Sequence, residues 1–390
     1  MTWTTAELGE VADVKIGPFG SLLHKSDYVE GGIPLVNPMH IIDGRIVPDP
    51  EHAVTADKAS QLANYRLVEG DVVLGRRGEM GRCAIVRPED DGYLCGTGSL
   101  IVRPSPSLSP QFVDRLLSSP GMIRTFERAS LGTTMPNLNQ EIVASVQIPL
   151  PPLDEQRRIA AILDHADDLR AKRRLIVTHL DDLVSSIFDD MFGNDDWPRL
   201  PLSDVVREGT IVTYGIVQAG DEFEGGIPYI RTGDIVGGTI AVDELRRTSP
   251  DIAAKFDRSM VRAGDIVMSI RATVGTTAIV PSELDGANLT QGTARIAPGG
   301  KTTRQYLLGF LRSDHAQRWI QAQVKGATFR EITLGRLRQL PVPIPPLAIQ
   351  QRYSERITQV QSLIATSKTL AAQNDELFAS LQSRAFRGEL

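Results

Sequence analysis

PLPPLDEQRRIAAILDHADDLRAKRRLIVTHLDDLVSSIF, residues 149–188, places a proline cluster before a long stretch without glycine or proline. PIPPLAIQQRYSERITQVQSLIATSKTLAAQNDELFASLQ, residues 343–382, does the same 194 positions later. In both, apolar residues recur at alternating steps of three and four, the spacing of one narrow face of an α-helix. Ile159, Ala166, Leu180 and Ile187 share one heptad position, and Ile162, Leu169, Ile176 and Leu183 the other. In the second stretch Val360 and Leu381 match the first set, and Leu363, Leu370 and Leu377 the second. Gly193 and Gly388 read as stop signals. Each helix, at about 37 residues and 1.5 Å rise, would be roughly 55 Å long. Two such narrow seams are expected to bury each other as an antiparallel coiled coil. Arg173, Arg356, Ser367 and Asn374 interrupt the expected seams. Either they fix register at a cost in stability, or they reach solvent.

The 194-residue offset extends outward from the helices. Trp3 returns as Trp197, GGIP (31–34) as GGIP (225–228), EGDVV (69–73) as AGDIV (263–267), and AIV (84–86) as AIV (278–280). A repeat this long is a duplicated domain, not a solenoid. Within a copy, short β-rich runs such as DVVLG (71–75), RCAIV (82–86) and SLIV (99–102) alternate with Gly and Pro turns. Helical stretches are expected near 110–119 and 121–129, the first started by Ser109 and Pro110. The expected fold class is α+β, with two duplicated α/β domains separated by two long helices that pair as an antiparallel coiled coil. Residues 1–150 form the first domain, 151–194 the central helix, 195–345 the second domain and 346–390 the C-terminal helix.

With 390 residues, 41% hydrophobic and 23% charged, the composition is that of a soluble globular protein. No apolar run reaches the roughly 18 residues of a membrane span, and no secretory h-region opens the chain. Cys83 and Cys95 are too few for a disulfide framework or a zinc cluster, so a cytoplasmic location is expected. The net charge of −6 argues against strong non-specific nucleic-acid binding. Residues 1–150 carry 13 basic and 18 acidic side chains, whereas residues 198–347 carry 18 and 15. If the protein binds DNA, the acidic first copy needs positive surface from a partner.

PLPPLDEQRRIAAIL (149–163), RAFRGEL (384–390) and GTTMPNLN (132–139) together resemble the specificity subunits of type I restriction-modification systems. The resemblance covers the whole chain in the order domain, helix, domain, helix. It implies two target-recognition domains, each reading one half of a bipartite, asymmetric double-stranded DNA site. The paired helices would act as the ruler between half-sites. They would also dock two copies of a modification subunit that methylates adenine with S-adenosylmethionine, with restriction subunits as optional members. No cofactor is expected in this chain itself. Two departures stand out. Ala348-Ile349-Gln350-Gln351 replaces Asp154-Glu155-Gln156-Arg157, and GATFREIT (326–333) replaces GTTMPNLN.

Candidate DNA contacts follow from side-chain chemistry. Arginine reads guanine through paired bonds, and Asn and Gln suit adenine. The aligned loops GRRGEMG (75–81) and SIRATVG (269–275) place Arg77 opposite Arg271, with Arg76 extra in the first copy. KIGPFGSLLHK (15–25) offers Lys15, Ser21, His24 and Lys25, with Phe19 expected in the core. The second copy offers Thr213, Tyr214, Gln218 and Arg231. Thr133, Thr134 and Asn137, with Thr328 and Arg330, could hydrogen-bond phosphates or bases. The competing roles are pairing with a carboxylate for the arginines and capping for the hydroxyls and amides.

Catalytic equipment is not expected. GGKT (299–302) lacks the first glycine of a phosphate-binding loop, because Arg295 stands there. NPMH (37–40) lacks the Asn-Pro-Pro-aromatic pattern that resembles an adenine methyltransferase site. His24, His40, His52, His165, His179 and His315 show no metal-ligand spacing, so no metal is expected. The reading is a non-enzymatic DNA-recognition subunit. The alternatives are a protein-interaction scaffold with two duplicated domains, or an enzyme whose site spans both copies.

Overall fold

The computed structural model describes residues 3–78, 80–130, 137–193, 197–326 and 330–390. Thr133, Thr134 and Thr328 lie outside these residues. The chain divides into two compact units, Met1–Arg174 with Thr369–Leu390, and Leu175–Lys368.

The first unit is built on β1 (Ala12–Ile16), β2 (Val72–Gly75), β3 (Cys83–Ile85) and β4 (Ser99–Pro104). They form an antiparallel sheet in the order β1-β4-β2-β3, with Leu100 facing both Ile16 and Leu74. Side chains alternate across a strand, so a sheet buried on both sides needs two apolar sets. Val72, Leu74, Leu100 and Val102 join one core with Phe112, Leu116, Ile159 and Leu163. Val73 and Ile101 face the other way, onto Val36 and Cys95. Helices Pro110–Leu117 and Pro120–Ala129 follow, capped by the Ser109 and Ser119 hydroxyls. Cys83 and Cys95 are buried free thiols.

The second unit repeats this plan with β5 (Thr213–Tyr214), β6 (Ile266–Ser269), β7 (Thr277–Ile279) and β8 (Thr293–Ile296), in the order β5-β8-β6-β7. Ile266, Met268, Ala294 and Ile296 line one core, and Val267 and Ala278 the other. β2 and β6, and likewise β3 and β7, differ by the full 194-residue offset without slippage.

The long helices are α1 (Leu153–Phe192) and α2 (Leu347–Ala385), and each unit contains part of both. In the first unit Ile159 and Leu163 of α1 share a core with Phe378 and Ala385 of α2. In the second, Phe188 and Phe192 of α1 share one with Tyr353 and Ile357 of α2. The start of one helix thus meets the end of the other, which is antiparallel pairing.

One glutamine anchors each helix start. Gln156 is fully buried; its Oε1 accepts from the Ser109 amide (2.8 Å), and its Nε2 donates to the Ser107 (3.1 Å) and Pro151 (2.9 Å) carbonyls. Gln350 does the same with the Thr303 amide (2.8 Å) and the Lys301 (3.1 Å) and Pro345 (2.8 Å) carbonyls. The change from DEQR to AIQQ keeps the glutamine that closes these backbone groups.

The seam itself corrects the expectation. Its first position holds: Ile159 and Val360 are buried, and Leu180 and Leu381 are half-buried. At the other expected position Ile162 is half-buried, but Leu169, Ile176, Leu183, Leu363, Leu370 and Leu377 are exposed, Leu377 at 66%. The second seam position runs one residue later, through Leu163, Arg170, Val177 and Val184, and through Ile357, Ile364, Ala371, Phe378 and Ala385. Steps of three-then-four and four-then-three both give a narrow stripe, so spacing alone cannot separate the buried row from the leucine-rich exposed one. Arg173 and Arg356 reach solvent, while Ser367 and Asn374 are half-buried on the seam.

Candidate nucleic-acid interface

In the first unit β1 and β2 end, and β4 begins, at one edge of the sheet. There the turn at 96–99 acts as a hub. The Gly17 amide donates to the Ser99 carbonyl (3.0 Å), the Arg76 amide to the Gly98 carbonyl (2.9 Å), and the Gly98 amide to Asn37 Oδ1 (3.1 Å). A β-carbon at Gly17 would meet the Gly96 carbonyl, so only glycine lets the 15–25 segment pass this close. Arg77 pairs with Asn137 through an isolated antiparallel bridge, and the Leu138 amide donates to the Arg76 carbonyl (2.9 Å).

The second unit builds the same corner around residues 290–293. The Gly215 amide donates to the Thr290 carbonyl (3.1 Å) and the Ile270 amide to the Gly292 carbonyl (2.8 Å). Arg271 bridges Glu331 as Arg77 bridges Asn137, again 194 residues apart. Ala272 stands in the left-handed region at φ 56°, held by its amide bond to the Arg330 carbonyl (3.0 Å); Gly78, at φ 81°, is its counterpart. Each unit therefore presents an arginine loop clasped to the segment before a short helix, Gln140–Ala144 or Leu334–Leu337.

Comparison with known proteins identifies this duplicated architecture. The family model described as type I restriction modification DNA specificity domain matches twice, at residues 1–177 and 194–373. The chain belongs to that family. The chain shows 27% identity to the Escherichia coli type I restriction enzyme EcoBI specificity subunit over 304 residues, 70% of this chain. That match spans 64% of the relative's length. A putative type I restriction enzyme MjaX specificity subunit of Methanocaldococcus jannaschii is 23% identical across 100% of this chain and 93% of its own. A chain from a solved structure concerning complex assembly and conformational transition of the type I R-M system has the same fold, at TM-score 0.63 and 22% identity, covering 100% of this chain and 98% of that one.

Placed in the specificity domains, the candidate residues sort by availability. Arg77 is exposed, but Arg76 does not project: it is buried, and its Nε donates to Asn137 Oδ1 (3.0 Å) and the Leu138 carbonyl (3.2 Å). Burial lowers its guanidinium from the ordinary value. Arg76 and Asn137 hold the loop, a role invisible in sequence because the partners lie 61 residues apart. Arg271 is ion-paired, its Nε 3.1 Å from Glu331 Oε2, with both side chains 46% exposed. Such an exposed pair is worth about 0–1 kcal/mol, so a phosphate or base edge can replace the carboxylate. Arg330 donates to Gln321 Oε1 (2.6 Å). Arg231 grips Asp234 with two bonds (3.1 and 2.6 Å), which raise its pKa and pin the turn Thr232–Asp234.

Around these lie the other candidates. Ser21, His24, Lys25, Tyr214 and Gln218 are exposed, Thr213 is half-buried, and Lys15 reaches Asp13 at 3.6 Å on β1. Phe19 is not a core residue as expected: it is 57% exposed beside Ser21. Val217 and Phe223 are similarly exposed in the second unit. Hydrophobicity alone assigns such side chains to a core, so nothing in the sequence marks them as exposed.

Proposed function

We propose that the chain is the non-catalytic DNA-reading subunit of a type I restriction-modification complex, each unit reading one half of a bipartite, asymmetric double-stranded site. The observation that carries this reading is the repeated arginine loop. Arg77 and Arg271 stand at the corresponding sheet corner of their own units with exposed side chains, yet their clasping partners differ, Asn137 in the first and Glu331 in the second. One scaffold with two different polar faces suits two different base sequences.

The helices carry the rest of the proposal. α1 and α2 are unbroken and serve as the spacer whose length leaves the central bases unread. The exposed rows give Leu169, Leu370 and Leu377 in the first unit, and their 194-residue counterparts Leu363, Ile176 and Leu183 in the second. Matching apolar rows suit two copies of one partner, the modification subunit, which would bind S-adenosylmethionine. Restriction subunits would join the same cytoplasmic complex.

Mapping methylated adenines in a host carrying the chain tests this directly. Arg271→Ala should relax specificity in one half-site; equal relaxation of both halves defeats the one-unit, one-half assignment. A heptad inserted after Ala171 should change the half-site spacing or abolish methylation. Unchanged spacing removes the spacer role.

A further inference from the structure

The geometry points to a divalent transition-metal site in the first unit, formed by His40, Asp49 and His52; the second copy has Asp234 and Arg246 in place of the two histidines. This goes beyond DNA reading and rests on a different set of residues. His40 closes the turn Pro38–His40, and His52 directly precedes the strand Ala53–Val54. One imidazole nitrogen from each histidine and a carboxylate oxygen of Asp49 lie within 4.8 Å of one another. The two rings are 5.1 Å apart, and His52 Nδ1 sits 2.7 Å from Asp49 Oδ2.

The decisive atom is His40 Nε2. The residue is 3% exposed, and Nε2 is buried with no hydrogen-bond partner among the described residues. Nδ1 lies 2.8 Å from the Leu35 carbonyl oxygen and 3.1 Å from the Asn37 amide. The Asn37 N–H and the Leu35 carbonyl compete for Nδ1; in the tautomer that takes the shorter contact, Nδ1–H donates to Leu35 and Nε2 is left as a bare lone pair, the state a cation would select. A histidine that binds a metal through one nitrogen usually donates its other N–H to a backbone carbonyl or carboxylate, which fixes its tautomer and ring orientation.

Two nitrogens and one carboxylate suit zinc, cobalt(II) or nickel(II), with a coordination position left for water. Asp49 and His52 are partly exposed, which provides an entry path. The corresponding residues of the second unit are Asp234, Asp243 and Arg246, and there Asp234 is occupied by Arg231. The site also bears on the interface. Asn37, at the head of the His40 turn, accepts from the Gly98 amide, and Arg82 donates to the Pro38 carbonyl (3.2 Å). A cation here would brace the turn against which the first arginine loop rests.

The test is titration of the untagged, chelator-stripped full chain with cobalt(II) chloride, followed by displacement with zinc chloride. One equivalent should bind with visible d–d bands, and zinc should raise the thermal midpoint. Removing a group that hydrogen-bonds a ligand typically costs about 10–100-fold in metal affinity, so losing a ligand should cost about 100-fold or more. Asp49→Asn and His52→Gln, both at partly exposed positions, should each show that loss while keeping the wild-type circular dichroism spectrum. His40→Gln should abolish the bands. Absence of a saturable one-equivalent spectrum in the wild type, or an unchanged spectrum in the folded Asp49→Asn/His52→Gln double variant, overturns the site.

Discussion

The two units share a backbone plan, but they close their helix seams differently. The second uses aromatic rings: Phe188 lies 5.0 Å from Phe192, 5.9 Å from Tyr306 and 5.6 Å from Tyr353. The first uses charge: Arg170 bonds Asp375 (2.8 Å) and Asp167 (2.8 Å) and lies 4.2 Å over the Phe378 ring, where the second unit has Ile364, Asp181 and Val184. Arg115 adds bonds to Asp164 and Asp167 (2.7 and 2.8 Å). Backbone geometry is thus shared while the chemistry of the seam is free to differ, provided each solution fills the same gap.

Unequal responses to mutation sharpen that contrast. Phe188→Ala should cost about 3–5 kcal/mol by opening the ring cluster, and hydrogen exchange should place the loss in the second unit. Gln156→Leu and Gln350→Leu should cost about 1–3 kcal/mol each, because a buried amide loses its acceptor. Equal penalties in denaturant titrations would confirm the shared anchor, and a large inequality would break it.

Smaller effects concern two acids of the first unit. Asp114 occupies the place of Leu308, its Oδ1 is buried without a partner among the described residues, and burial pushes its pKa up to about 6. A carboxyl raised in the fold binds its proton more tightly there than when unfolded, so the first unit should gain stability as pH falls from about 6 toward 4. Asp114→Leu should stabilise it by about 1–2 kcal/mol at neutral pH and erase that slope. The Arg170 and Arg174 guanidiniums hold Asp375 below the usual carboxylate range. Its contribution is present above the unfolded pKa and lost as pH falls through the folded one. Since Asp375 is well exposed, Asp375→Ala should cost under about 1 kcal/mol, read as a small drop in unfolding midpoint at neutral pH that vanishes in acid.

Much of the scaffold was legible because duplication is a pattern in the chain itself: Trp3 and Trp197, the strand runs and the proline clusters fix one frame. The seam was not fully legible. Leu169 and Leu377 obey helical spacing as well as Leu163 and Phe378 do, and hydrophobicity cannot separate a row buried within the chain from one left on the surface. Arg76 and Arg77 are neighbours in sequence, yet one is buried by Asn137 and the other exposed. His40, Asp49 and His52 lie on a turn and a strand approach, so no regular spacing announces their meeting.

Ala272 carries a last consequence. A methyl-bearing residue in the left-handed region costs about 1–3 kcal/mol, a cost its glycine counterpart Gly78 avoids. The second arginine loop is therefore spring-loaded, and the Arg330 carbonyl is the latch. Ala272→Gly would let it go slack, trading a fixed aim for a looser grip on sequence.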